Sequence, residues 1–153
     1  MAGTSQYSMN RFTINTTYRP DSGELYSFLS ATEFQASVSM DDYIEKVQNN
    51  AVFVSLQDEK GIMKGLSISY MNRLERDFAY LTYIAICKEF RGFGAGKSLL
   101  AKTIEIVREC GFRRFRLEVR KRNDIAKNMY DSLGFAVVDK TENSYYMELV
   151  LWQ

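Results

Sequence analysis

Tyr83 to Ala101 reads YIAICKEFRGFGAGKSLLA, and three local patterns follow one another in it. The run Tyr83-Ile84-Ala85-Ile86-Cys87 is apolar, contains β-branched residues and stops at Lys88-Glu89, the pattern of a buried strand. Gly92, Gly94 and Gly96 then fall within five positions. Glycine reaches positive φ and admits a ligand close to the backbone, so such a turn can aim several N–H groups at one point. Lys97 and Ser98 open an apolar-periodic helix, whose N-terminus carries about half a positive charge and a set of unsatisfied donors. Those are the requirements of a phosphate or pyrophosphate site. An ordinary tight connection uses glycine in the same way, so the loop needs a second motif before it reads as a site.

The spelling excludes two nucleotide loops. A G-x-x-x-x-G-K-[ST] pattern ends correctly at Gly96-Lys97-Ser98, but its first glycine falls on Arg91. A G-x-G-x-x-G fingerprint fails because Gly92, Gly94 and Gly96 have the wrong final spacing. A P-loop nucleotidase also needs an apolar strand ending in a metal-binding aspartate, and none is evident.

Composition narrows the remaining classes. The chain has 153 residues, enough for one domain with a substantial core, and its apolar and charged fractions of 46% and 25% are those of a globular protein. A net charge of +1 gives no electrostatic case for nucleic acid or an anionic membrane as partner. Basic residues do cluster at Arg113-Arg114, Arg116 and Arg120-Lys121-Arg122; a solvated face and a phosphate-rich ligand are both open readings. The absence of histidine removes Ser-His-Asp and Cys-His catalysis and the common zinc sites. Cys87 and Cys110 form neither a disulfide framework nor a metal motif, so no metal is expected and a reducing, cytoplasmic setting is the simplest reading. Met1 to Asn10 is polar, without a signal-peptide core, and is expected to be a disordered terminus, leaving 11–153 as a single domain.

In chain order, Phe12, Ile14, Thr16 and Tyr18 alternate as an edge strand that Pro20-Asp21-Ser22-Gly23 ends. Leu25, Phe28 and Leu29 mark a helix, and Ser39-x-x-Asp42 caps a second one with Tyr43, Ile44 and Val47 on its apolar side. The loop between them, Ala31 to Val38 with Phe34, reads as a substrate lid or as a plain connection. Strands are expected over Ala51 to Leu56, Ile62 to Met71 and Phe78 to Cys87, an antiparallel meander that delivers its last strand to the glycine loop. The following helix carries Leu100, Ile104 and Val107 on one face and ends at Gly111. Phe115 to Val119 should then run parallel to the strand before the helix, and Arg116 and Glu118 suggest that one of its faces looks into a cleft. A last strand, Ser144 to Leu151, is expected at a sheet edge, which would allow a homodimer through it.

The second motif is Leu117-Glu118-Val119-x-x-x-Asn123-x-x-Ala126-x-x-x-Tyr130-x-x-x-Gly134-Phe135, in which Asn123, Ala126 and Tyr130 share one helix face. With Arg91-Gly92-Phe93-Gly94-Ala95-Gly96, which has the form [RQ]-x-x-G-x-[GA], it resembles the two signature blocks of the GNAT family of N-acetyltransferases, in the same order and over roughly Phe53 to Leu149. The resemblance implies an α/β (α+β) fold with a mixed, mostly antiparallel sheet of about seven strands, splayed where the cofactor enters, and helices on both faces. It implies acetyl-CoA as co-substrate and transfer of its acetyl group to a primary amine by direct attack in a ternary complex. Backbone groups of Ile84, Ala85 and Ile86 would then pair with the pantetheine arm, and Gly92, Phe93, Gly94, Ala95, Gly96, Lys97 and Ser98 would hold the pyrophosphate. Asn123 and Tyr130 would contact the cofactor, and Arg91 is either a phosphate contact or a surface residue. Tyr130 matches the general acid, and is otherwise a core tyrosine; Glu118 matches the general base of the branch that acts on ribosomal-protein N-termini, and is otherwise the salt-bridge partner of Arg116, Arg120 or another neighbour. The acceptor could be an amino sugar, another small amine or a protein N-terminus. A non-catalytic acyl-CoA-binding module is the alternative.

Overall fold

The computed structural model describes residues 11–152, so the expected disordered stretch 1–10 lies outside the described residues. The chain forms β1 (Thr13–Asn15), α1 (Ser22–Ala31), α2 (Met40–Asn50), β2 (Ala51–Gln57), β3 (Met63–Tyr70), β4 (Phe78–Ile86), α3 (Ala95–Glu109), β5 (Arg114–Arg120), α4 (Asp124–Ser132), β6 (Ala136–Lys140) and β7 (Ser144–Val150). The seven strands make one sheet in the order β1-β2-β3-β4-β5-β7-β6. All its pairings are antiparallel except β4 with β5, the pair that α3 joins as a crossover.

Local chemistry sets the helix starts. Ser39 accepts from the Asp42 N–H at 3.1 Å, the cap read in the sequence. Asp21 does the same for Glu24 at 2.8 Å, so Ser22 and Gly23 belong to the first turn of α1 and not to a turn that closes β1. β1 accordingly shrinks to Thr13–Asn15, because Asn15 Oδ1 accepts from the N–H groups of Thr17 and Tyr18 and turns the chain away. Gly94, at φ 76°, starts α3 at Ala95, two residues ahead of the expected Lys97.

The sheet has two dressed faces. On one, α3 and α4 cover Ala79, Leu81, Phe115, Leu117, Val119 and Met147. On the other, α1 and α2 cover Phe53, Leu66 and Ile68, with Tyr83 and Ala85 packed alongside. A buried hydroxyl pair, Ser67 Oγ and Thr103 Oγ1 at 2.6 Å, fixes α3 to the centre of the sheet, and Thr103 also donates to the Leu99 carbonyl at 2.9 Å.

β7 is not at an edge: it lies between β5 and β6, and the outer strand is β6. The β6–β7 hairpin turns inward, so the alternating apolar residues of β7 meet Phe115, Leu117 and Val119 of β5 and do not form a free edge. No helix among the described residues is long and apolar enough to cross a membrane.

Removing the Thr103 hydroxyl strands Ser67 in a dry site. Thr103→Val is expected to lower stability by about 1–3 kcal/mol, with part recovered in the Ser67→Ala/Thr103→Val double variant; urea unfolding checks both.

Candidate active site

β4 and β5 begin as neighbours and then part. Their register consists of Phe78 with Arg114, Ala79 with Phe115 and Tyr80 with Arg116, and no pairing follows. Just beyond, Thr82 is an extra residue on β4, since Ile68 faces Tyr83 while Ser69 faces Leu81. A bulge of this kind bends its strand and breaks the ladder. The result is a gap between the C-terminal half of β4 and β5.

Register decides which β4 groups look into the gap. The Cys87 N–H donates to the Lys64 carbonyl at 2.7 Å, so Cys87 is a hydrogen-bonded partner of β3. Alternation then turns the backbone groups of Ala85 toward Leu66 of β3 and those of Ile84 and Ile86 away from it. Of the three expected pantetheine contacts, Ile84 and Ile86 offer backbone to the gap and Ala85 does not; its pairing with β3 is the physical reason. The Ile86 carbonyl already accepts from Arg91 Nε at 2.9 Å, which ties the glycine loop to the strand end.

The loop itself is a set of free donors. Gly92 at φ 85° and Gly94 at φ 76° occupy the left-handed region. The backbone N–H groups from Gly92 through Lys97 have no acceptor among the described residues, and the Ser98 N–H is the first to be taken up, by the Gly94 carbonyl at 3.0 Å. Buried Ala95 seats the start of α3, while Phe93, Lys97 and Ser98 remain exposed. α4 comes close here: a Cβ on Gly96 would stand 3.5 Å from Met129 Sδ, one residue before Tyr130. A run of donors at a helix N-terminus beside an open strand edge fits a pyrophosphate joined to an amide-bearing arm.

Tyr130 is 6% exposed, with its ring 5.8 Å from that of Phe135. Burial pushes its hydroxyl pKa up to about 12, so it is a proton donor throughout the neutral range. Asn123 caps α4, its Oδ1 accepting from the Ala126 N–H at 3.1 Å, which leaves the side-chain amide donor available. The cap and Tyr130 thus sit on one ordered helix.

Glu118 stands on the opposite face of the sheet, exposed, across from Tyr146 in register. It is not the partner of Arg116, whose Nε lies 2.7 Å from Glu148 Oε2, with Arg114 Nε 3.2 Å from the same carboxylate. Neighbouring Tyr80 is raised to about 12, by burial first and then by the negative charge of Glu118. The sequence reading missed both Tyr80 and Glu148. The alternation of Phe78 and Tyr80 with Ala79 and Leu81 was the available signal for Tyr80; the Glu148 pairing depends on strand order and had none. Loop 32–38 is packed down onto β4: Phe34 lies 4.4 Å from Tyr43 and 5.1 Å from Tyr83 between ring centroids, and Thr32 Oγ1 is 2.6 Å from the Tyr83 hydroxyl.

Comparison with known proteins agrees with this architecture. Residues 14–135 match the acetyltransferase (GNAT) family, and the chain belongs to that family. It is 42% identical over 69 residues to the [ribosomal protein bS18]-alanine N-acetyltransferase of Haemophilus influenzae, a stretch covering 45% of this chain and 47% of that protein. The chain therefore matches about half the length of such curated relatives. In structure it is similar to the ribosomal-protein-S18-alanine N-acetyltransferase of Escherichia coli, with a TM-score of 0.78 and 22% identity over 94% of this chain and 96% of that one. An N-acetyltransferase of Thermoplasma acidophilum solved with coenzyme A gives a TM-score of 0.70 at 17% identity, over 92% of this chain and 99% of that one. At these identities the structural likeness is one of fold.

The raised tyrosines carry a pH signature. The folded chain keeps protons on Tyr130 and Tyr80 up to about pH 12, whereas the unfolded chain releases them near 10. Stability should hold below about pH 10 and fall between about 10 and 12, and Tyr130→Phe should flatten that fall; urea unfolding across the alkaline range measures it.

Proposed function

We propose that this protein transfers an acetyl group from acetyl-CoA to a primary amine, both held in one ternary complex. The observation that carries the reading is the β4–β5 gap, with free loop donors at its mouth, Tyr130 on one side of the sheet and Glu118 on the other. Acetyl-CoA, when bound, supplies an activated acyl group on a thiol leaving group. The N–H groups of Gly92 to Lys97 are assigned to its pyrophosphate, the backbone of Ile84 and Ile86 to its amide arm, and the Asn123 amide to a further cofactor contact.

Proton handling at both ends limits such a reaction near neutral pH, because an alkylamine arrives protonated and a thiolate leaves as a base. Tyr130 retains its proton far above neutrality and is assigned the role of acid to the departing sulfur. Glu118, exposed on the acceptor face, accepts the amine proton directly or through water. An N–H of β4 facing the gap is assigned to the negative charge that develops on the acyl oxygen. The named activity of the Haemophilus relative supports the α-amine of a protein N-terminus as acceptor class, ahead of a small amine or amino sugar. Two free cysteines suit a reducing cytoplasm.

Acetyl-CoA at a hundred times its Kd should stabilise the chain by about 2.7 kcal/mol, and ATP should leave Tm unchanged. Tyr130→Phe should lower kcat about a hundredfold with little change in KM for acetyl-CoA, measured by thiol release. Binding without thiol release for any amine tried would favour the non-catalytic acyl-CoA-binding module; absence of binding would overturn the assignment of the loop.

A further inference from the structure

The basic run of the sequence divides in the fold. Arg114 and Arg116 are both held by Glu148. Arg120, Lys121 and Arg122 have no carboxylate within ion-pair distance among the described residues. These three line a cleft of about 380 Å³ with Glu142 and Asn143. Its walls are fixed against each other: the Lys121 N–H donates to the Asn143 carbonyl at 2.8 Å, the Asn123 N–H to the Arg120 carbonyl at 2.9 Å, and the Ser144 N–H to Thr141 Oγ1 at 3.1 Å. Lys121 alternates to the other face, its Nζ 5.4 Å from the Tyr145 ring centroid, so Arg120 and Arg122 against the single carboxylate of Glu142 leave the cleft positive.

Its position relates it to the reaction. Side chains alternate along a strand, so Arg120 projects on the same face as Glu118, two residues farther on, a backbone separation of roughly 7 Å. Glu118 is the group assigned to the reacting amine, so a cation stands one strand repeat away from it. A polyamine would bring positive charge to an already positive cleft, and an acceptor with an acidic group near its amine would neutralise it.

We propose, resting on the acyl-transfer reading above, that this cleft binds a carboxylate of the acceptor, making the preferred acceptor an amine that carries an acidic group close to the reacting nitrogen. An aspartate following the N-terminal residue of a peptide is such a group. The same cations could instead hold a phosphate at the nucleotide end of the coenzyme, a source that the test separates.

The test is calorimetric titration of the chain, with CoA in the buffer, by the amides of Ala-Asp-Ala, Ala-Asn-Ala and Ala-Lys-Ala. The aspartyl peptide should bind about fivefold more tightly than the asparaginyl one at low salt, with the lysyl peptide weakest, and the preference should shrink in about 0.5 M salt. In Arg120→Gln the aspartyl preference should disappear while the asparaginyl affinity stays the same. Equal binding of the aspartyl and asparaginyl peptides overturns the proposal, as does a preference that survives in the Arg120→Gln/Arg122→Gln double variant. A loss of CoA affinity without loss of dephospho-CoA affinity in Arg120→Gln would assign the cleft to the coenzyme and overturn it too. Thiol release with the asparaginyl peptide reports separately on acyl transfer, so the charge reading can fail while the reaction stands.

Discussion

The interruption of pairing between β4 and β5 is the constraint on which the site depends. A parallel pair normally satisfies its ladder along its length, and a buried backbone group left without a partner costs about as much as a lost hydrogen bond. Here the ladder stops at Tyr80 and Arg116. The break is held open from both faces. Thr82 inserts an extra residue into β4, and the Tyr43 hydroxyl meets Thr82 Oγ1 at 3.2 Å, fastening the bulge to α2. On the other face the Ser67–Thr103 pair anchors α3, whose first turn presents the glycine loop. The freed edge of β4 and the free N–H groups of the loop are therefore two parts of one unsatisfied backbone surface.

The sheet also divides the chemistry by solvation. Tyr130 lies among apolar side chains, where the neutral phenol is favoured. Glu118 lies in water on the far face, with its potential partner Arg116 drawn to Glu148 and set over the Phe78 ring at 4.1 Å. The proposed proton donor and proton acceptor are kept apart by a sheet that is continuous everywhere except at the gap. Had Glu118 taken Arg116 as its partner, the face proposed for the acceptor would hold an ion pair in place of a free carboxylate; Glu148, shared by two arginines, prevents it.

The parts legible in the sequence are those in which the backbone does the work. Gly92 and Gly94 were readable because only glycine takes positive φ without strain, and Ser39 because a cap is a local bond. The α3 and β5 stripes followed from periodicity, since Leu100, Ile104, Phe115 and Leu117 all face one core. What escaped depends on pairing between distant segments. The place of β7 inside the sheet, the turning of Ala85 toward β3 and the capture of Arg114 and Arg116 by Glu148 all follow from strand order and register, which no run of neighbouring residues encodes.

The same division explains why the coenzyme end of the proposed reaction is plainer than its acceptor end. The proposed coenzyme contacts are mostly main chain from one continuous stretch, Ile84 to Ser98, so their chemistry is written in glycine spacing. The face proposed for the acceptor is assembled from side chains of β4, β5 and β7, namely Phe78, Tyr80, Arg116, Glu118, Tyr146 and Glu148. The opposite face of β5 carries Phe115, Leu117 and Val119 in the core, so the strand is held whichever residues occupy the acceptor side. Pleating thus lets the acceptor side chains vary at little cost to folding, while the glycine turn admits few substitutions without strain.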